Sequence, residues 1–390
     1  MFLINGFCWG TWAGRLNAFQ EHFGVGTALL SAAILSAGIG AICAMPLTGR
    51  LCDRFGSRPI IAVSGVLMCC SLGALGLVST FLLFALSLFL LGFASGMNDV
   101  SMNAHAVLVE RRYRKKIMSS FHGFFSCGAM GGAFGCSLAS ASGAAPSSQL
   151  PVVAVVLLLL TVTTHRRLLA ADQDQNKSFE QSKGSPELGK IETVVLALSV
   201  IALCSFVSEG AMGDWIAIYF HTVIRTTESY AALAFAAFNV AMTIGRFMGD
   251  SIADRFGPAN IVRGGALLAV LGLSCALLFN HPYASIVGVV FVGLGLSSIV
   301  PNVFSAAGLV SNSPGRSIAT VALMGYGGIL LGPPVIGLTA SLIGLRGALA
   351  LVCILEALVV VLADFLNRPR KQNYAARPEN ENLAVPNLPP

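Results

Sequence analysis

Three acidic side chains, Asp99, Glu209 and Asp214, stand inside long apolar runs where acids are rare. Asp99 lies 12 residues before Arg111, the first of a basic cluster. A helix rising 1.5 Å per residue would carry it roughly 18 Å inward from that edge. Holding a carboxylate at such depth in a bilayer costs at least about 2.5–3.5 kcal/mol, so its retention points to function. A carboxyl there can bind a polar ligand, or take up and release a proton. Gly92, Ser95, Gly96, Asp99 and Asn103 recur at steps of three and four and share one helical face, with Asn98 and His105 on an adjacent strip. A purely structural role for Asp99, paired with Arg15 or a backbone group, stays open at this point. Glu209 falls near or slightly beyond the middle of its run, and Asp214, followed by Trp215 and Tyr219, nearer the opposite edge.

Other polar residues are spaced to face the same interior. Asn5, Trp9 and Trp12 follow steps of four and three, with Arg15 beyond them. Asn239, Thr243, Arg246 and Asp250 form a line on one face. A polar stripe on an apolar helix needs a partner or a water-filled cavity, because lipid offers no hydrogen bonds. Near the helix end, an ion pair between Arg246 and Asp250 within the helix is the plainer expectation. Ser298 and Asn302 share a face near Pro301 and Gly295, and Tyr326 sits among Gly325, Gly327 and Gly328 before a kink expected at Pro333-Pro334. Amides and aromatic rings around a few carboxyls suit a hydroxylated solute. The competing explanations are that Trp anchors the membrane interface and that glycines serve close helix packing.

The elements that position these groups are membrane helices. Hydrophobic residues make up 55% of the chain and charged residues 11%, and the mean hydropathy is +0.77. Soluble domains carry about a quarter charged residues. Stretches long enough to span occur at 2–19, 28–48, 59–79, 81–105, 118–142, 149–165, 193–220, 230–250, 260–280, 283–308, 317–343 and 345–366. With an even number of spans and both termini in the cytoplasm, all of the 24 Lys and Arg except Arg15, Arg225 and Arg346 fall on the cytoplasmic side. That bias is the positive-inside pattern. It also accounts for the net charge of +6 without a nucleic-acid partner. The ten Cys lie in spans, apart from Cys52, and read as small packing residues rather than disulfides or ligands. No metal site, cofactor or catalytic constellation is expected.

The chain divides into a six-helix bundle at 1–169, a polar linker at 170–190, a second bundle at 191–366 and a polar, Pro-rich tail at 367–390 expected to be disordered. Met1 and Phe2 begin almost inside the first span, so a few upstream residues are expected to precede them.

A repeated motif ties the halves together. Gly49-Arg50-Leu51-Cys52-Asp53-Arg54-Phe55-Gly56-Ser57-Arg58 returns in degenerate form as Asp250-Ser251-Ile252-Ala253-Asp254-Arg255-Phe256-Gly257, the two motif acids 201 positions apart. It resembles the signature loop of the major facilitator superfamily of secondary transporters. The second copy departs from the pattern, with Asp250 at the leading Gly and no basic residue just after Gly257. The resemblance implies a cytoplasmic gate made of Gly49, Asp53, Arg54, Gly56, Arg58, Arg246, Asp250, Asp254 and Arg255. Asp53 would sit at a helix start, Arg54 and Arg58 would pair with acids of the facing bundle, and Gly56 would permit the tight turn.

The stretch Gly96-Met97-Asn98-Asp99-Val100-Ser101-Met102-Asn103-Ala104, with Val109-Glu110-Arg111-Arg112, Met118-Ser119-Ser120-Phe121-His122 and Glu209-Gly210-Ala211-Met212-Gly213-Asp214-Trp215, resembles the MosC-like subgroup. That subgroup is related to the fucose-permease branch and associated with rhizopine, an inositol-like compound. The acids of spans four and seven thereby become candidates for binding or coupling. Span four lacks the membrane Arg of many drug antiporters, and Gly128-Ala129-Met130-Gly131-Gly132-Ala133-Phe134-Gly135 lacks the Pro of the antiporter motif.

The expected protein is an all-α polytopic membrane protein with twelve transmembrane helices in two pseudo-symmetric six-helix bundles. It would act as a monomer in a bacterial inner membrane, moving a small polar solute with protons by alternating access. Its substrate or proton site would draw on Asp99, Asn98, Asn103, Glu209, Asp214, Trp215, Trp9, Trp12, Asn239, Asn302 and Tyr326. The alternatives are drug or metabolite efflux, and a ligand sensor on a transporter fold.

Overall fold

The computed structural model describes residues 1–170, 193–279, 281–310 and 313–367. Apart from Ala170 and Asn367, the expected linker and tail lie outside the described residues. Regular structure among the described residues is entirely helical. Seven helices build the N-terminal bundle: α1 (Phe2–Ala13), α2 (Leu16–Phe23), α3 (Thr27–Phe55), α4 (Ser57–Leu75), α5 (Phe81–Tyr113), α6 (Met118–Ala141) and α7 (Pro146–His165). The C-terminal bundle comprises α8 (Thr193–Thr222), α9 (Glu228–Phe256), α10 (Pro258–Phe279), α11 (Pro282–Leu296), α12 (Ile299–Val310) and α13 (Pro314–Leu362).

Among the described residues, ten helical stretches are long and apolar enough to cross a membrane, counting α11 with α12 once and α13 once. Helix α13 reverses at Gly344, where φ is 79° and ψ 159°, and so makes two crossings. The helix continues through Pro333 and Pro334, so the kink expected there is not where the chain breaks. Together α1 and α2, interrupted at Gly14 and Arg15, supply one more crossing and bring the total to twelve. Similarly, Ser297 and Ser298 separate α11 from α12, between Gly295 and Pro301.

Four tight reversals expose the internal repeat. Gly56, Gly143, Gly257 and Gly344 all have φ between 77° and 83°, a region that glycine enters without a side-chain penalty. Each falls between the second and third crossings of a three-crossing unit, so the chain is four such units in series. The motif acids are helical rather than in a loop: α3 continues through Asp53 to Phe55 and α9 through Asp254 to Phe256. The glycine alone makes the turn.

Small residues bring the helices close. A Cβ on Gly6 or Gly10 of α1 would lie 2.0 Å from the carbonyl oxygen of Phe125 or Ala129 on α6. In return, one on Gly128 or Gly132 would lie 2.2 or 2.3 Å from the oxygens of Leu3 or Phe7. The glycine-rich stretch of α6 is thus occupied in packing against α1. Between the bundles, α3 packs on the first half of α13, and α6 on α9. Outward-facing Leu278, Leu338, Leu342 and Val361 are exposed, as lipid contact requires.

This packing separates neighbouring glycines. Gly128→Ala must push apart two backbones and should cost about 1–3 kcal/mol, seen as a lower melting temperature in detergent. Gly131→Ala meets only the Phe7 ring at 3.4 Å and should melt like the wild type. Equal melting of the two variants would contradict the packing described.

A carboxylate clamp and a buried polar chain form the candidate functional site

The end of the molecule that carries the basic loops is closed by carboxylates placed on helix starts. The first N–H groups of a helix have no intrahelical partner and carry partial positive charge. At α6 four consecutive ones are satisfied by two acids. Ile117 and Met118 donate to Glu110 Oε1 at 2.9 and 3.0 Å. Ser119 donates to Asp250 Oδ1 at 2.8 Å and Ser120 to Asp250 Oδ2 at 2.7 Å. Glu110 belongs to the same bundle as α6, whereas Asp250 comes across from α9. In the other copy of the motif, Asp53 Oδ1 accepts from Gly315 N, at the start of α13, at 2.8 Å, and Arg316 Nε lies 3.5 Å from Asp53 Oδ2.

Further bonds join the bundles at this end. Asp254 Oδ1 accepts from Lys116 N at 3.1 Å. Ser305 Oγ donates to Glu110 Oε2 at 2.5 Å, and Lys116 Nζ donates to Ser305 Oγ at 3.1 Å. Arg111 Nη2 donates to the Gly308 oxygen at 2.5 Å. Gly49 lets α3 approach: a Cβ there would lie 2.9 Å from the Gly315 oxygen.

Arg54, Arg58 and Arg255 form no ion pair among the described residues. Arg54 lies over the Phe55 ring at 5.0 Å, and Arg255 over Phe256 at 5.2 Å, so the two motif copies match in this detail. Arg58 occupies the first turn of α4.

Deeper in, a chain of polar groups leads from one bundle to the other. Asn103 Nδ2 donates to Asp99 Oδ1 at 3.1 Å, and Asn103 Oδ1 lies 3.1 Å from His122 Nε2. Ser126 Oγ donates to the His122 oxygen at 3.3 Å. From α9, Arg246 Nη1 donates to Ser126 Oγ at 2.5 Å, while Nη2 pairs with Glu209 Oε1 of α8 at 3.2 Å. Arg246 and Asp250 therefore have other partners than each other, contrary to the intrahelical pair expected. The Tyr326 ring packs at 6.1 Å from that of Phe206 on α8.

The remaining candidates separate into two groups. Asn98 is tied inside the N-terminal bundle: its Nδ2 donates to Ser64 Oγ at 3.0 Å and its Oδ1 accepts from Asn5 Nδ2 at 3.2 Å. Trp9 Nε1 donates to Ser95 Oγ at 2.6 Å, which extends that network. Trp12 is a core residue, packed against Phe19 and Phe84. Arg15 donates to Gln149 Oε1 at 2.5 Å and to the Ala144 oxygen at 2.9 Å, so it does not serve Asp99. By contrast Asp214 is exposed, and Trp215 is half-buried beside Gly337 with its Nε1 unpartnered among the described residues. Asn239 Nδ2 donates to the Phe235 oxygen at 2.9 Å, and Asn302 Nδ2 to the Ser298 oxygen at 2.7 Å.

With this geometry, comparison with known proteins identifies the family. The Major Facilitator Superfamily profile matches residues 1–314 and 194–388. The chain belongs to the major facilitator superfamily. It is 36% identical over 369 residues to an uncharacterized transporter of Sinorhizobium fredii, covering 94% of this chain and 96% of that one. It is 28% identical over 370 residues to the membrane protein MosC of Rhizobium meliloti, covering 95% and 89%. The solved structure of FucP in the outward conformation superposes with a TM-score of 0.74 at 16% identity, covering 94% of this chain and 98% of that one. A further structure describes FucP as the fucose:proton symporter of E. coli. This superfamily chain is a multi-pass membrane transporter and not an enzyme.

Four contributors were not anticipated from sequence: His122, Ser126, Glu110 and Ser305. Glu110 was hidden among basic neighbours on the helix before α6. His122 and Ser126 lie one turn apart on α6, the spacing of a shared face.

The clamp makes a labelling experiment informative. Cys52 is buried, and its Cβ lies 3.0 Å from where a Cβ on Gly315 would be. Asp53→Asn should remove roughly 1 kcal/mol of helix-start and charge stabilisation. Maleimide labelling of Cys52, followed by mass spectrometry, should then speed up about fivefold. Unchanged labelling would show that Asp53 does not hold this end shut.

Proposed function

We propose that the protein is a proton-coupled secondary transporter of a small polar solute of the sugar, polyol or inositol type. The observation that carries this reading is the polar chain Asp99–Asn103–His122–Ser126–Arg246–Glu209, which has a buried carboxyl at one end, an ion pair at the other, and runs from one bundle to the other. A solute entering between the bundles would meet Asp99 and Tyr326, with Asn302, Asp214 and Trp215 available from the C-terminal bundle. Aromatic rings cover the apolar faces of a sugar, while carboxyl and amide groups bond its hydroxyls. Proton exchange at Asp99 or Glu209 would alter the charge balance with Arg246, which also reaches Ser126 across the bundle interface. Binding would thus be linked to the clamp that alternating access must break. Fucose:proton symport by the structurally similar FucP supports this class of chemistry.

We further propose that the basic end faces the cytoplasm of a bacterial inner membrane, with both termini inside and the monomer as the transporting unit. Positive-inside bias of the loops supports that orientation. In this reading the described conformation is closed to the cytoplasm.

A thermal-shift screen of purified protein against sugars, polyols and inositols should give a hit, because a ligand that binds only the native state stabilises it. Reconstituted in proteoliposomes, the protein should accumulate that hit against its gradient when the outside is acidified. Accumulation should fall to simple equilibration in Asp99→Asn and in Glu209→Gln. Full pH-driven accumulation in both variants would rule out proton coupling at these carboxyls. Hits confined to lipophilic cations would favour efflux instead.

A further inference from the structure

We infer that Glu356 is a second proton-binding site, enclosed in the C-terminal bundle and apart from the chain that crosses between bundles. Its side chain is fully buried, with 0% exposure, and both carboxyl oxygens lack a hydrogen-bond partner among the described residues. Glu356 stands 12 residues beyond the reversal at Gly344. That places it roughly 18 Å along its helix and so deep in the membrane.

The groups around it offer no charge to balance an anion. From α8, Ser208 approaches, but its hydroxyl donates to the Cys204 oxygen at 2.9 Å. Cys204 on α8 and Cys353 on the same helix are the nearby titratable groups, and a thiol brings no positive charge. Cys353 is itself engaged, 3.7 Å from Ser274 Oγ of α10. Among the basic residues of this bundle, Arg246 pairs with Glu209 at 3.2 Å, Arg263 with Asp364 at 2.6 Å and Arg316 with Asp53 at 3.5 Å. An isolated buried carboxylate costs far more than its neutral form, and such groups neutralise instead of staying charged. Here that means a hydronium ion gives up one proton and leaves as water, while one O–H bond forms on Glu356 and cancels its charge.

The position gives this proton a route to influence gating. Ser208, which approaches Glu356, immediately precedes Glu209, the partner of Arg246. One helix therefore carries both the neighbour of the enclosed acid and half of the ion pair at the bundle interface. The inference deepens the proton-coupled reading, but occupancy at Glu356 is measurable without substrate or transport. Its failure would leave the Asp99 and Glu209 assignments standing, and theirs would leave Glu356.

The test is infrared spectroscopy of the protein in lipid bilayers at neutral pH, with isotope-labelled glutamate to separate its signals from those of aspartate. A C=O stretch of protonated glutamate equivalent to one carboxyl per chain is expected in the wild type and should be lost in Glu356→Gln. Glu356→Met, apolar and of similar length, replaces the Gln variant if that fails to fold. Absence of the band in the wild type would overturn the inference, and this arm needs no variant. So would a band that persists in the folded variant. A band abolished by sodium but not by choline chloride would mark a cation site and overturn it as well.

Discussion

The structure depends on carboxylates set against the unpaired N–H groups at helix starts. At α6 two acids from different bundles share four such donors, Glu110 taking Ile117 and Met118 and Asp250 taking Ser119 and Ser120. Asp53 does the same for α13 through Gly315. These bonds combine charge with direct geometry and sit where lipid and packed helices limit the access of water. Those of Asp250 and Asp53 cross between the bundles, so under the proposed alternating access a stabilising interaction doubles as a gate.

The two copies of the motif have diverged around that shared physics. In the first, the acid in the last turn of α3 caps the facing helix, and Gly49 one turn earlier lets the backbones touch. In the second, the acid one turn earlier, Asp250, makes the helix-start contact, and Asp254 is left to bond Lys116 N. The departure visible at the leading Gly is thus a relocation of the capping acid by one turn. It also frees Arg246, four residues before Asp250, to reach Ser126 and Glu209. Gate and interior polar chain consequently share one face of α9.

Much of this was legible in the amino-acid order. Apolar length placed most crossings, and the spacing of Asp99 and Asn103 put them on one face, where the structure joins them by a hydrogen bond. What sequence could not supply was adjacency between distant helices. Asn98 and Asp99 are neighbours in sequence, yet one is locked toward Ser64 and Asn5 while the other turns toward His122 through Asn103. Trp12, in step with Trp9, belongs to an aromatic core with Phe19 and Phe84. Glu356 was within reach, since an acid midway along the apolar run 345–366 carries the same depth signal as Asp99. The reversal at Gly344 falls between the expected spans 317–343 and 345–366, whereas the interruption at Gly14 and Arg15 lies inside the expected span 2–19.

The claim that two carboxylates hold one end of the molecule shut is most directly tested by a distance. Spin labels at Tyr113 and Asn260, both exposed at that end on opposite bundles, would be introduced after replacing the ten native cysteines. Pulsed electron paramagnetic resonance on the protein in lipid then reports their separation. The account predicts one dominant short distance, and a second, longer population in the Asp53→Ala/Asp250→Ala double variant. Superimposable distance distributions with and without the two carboxylates would contradict it.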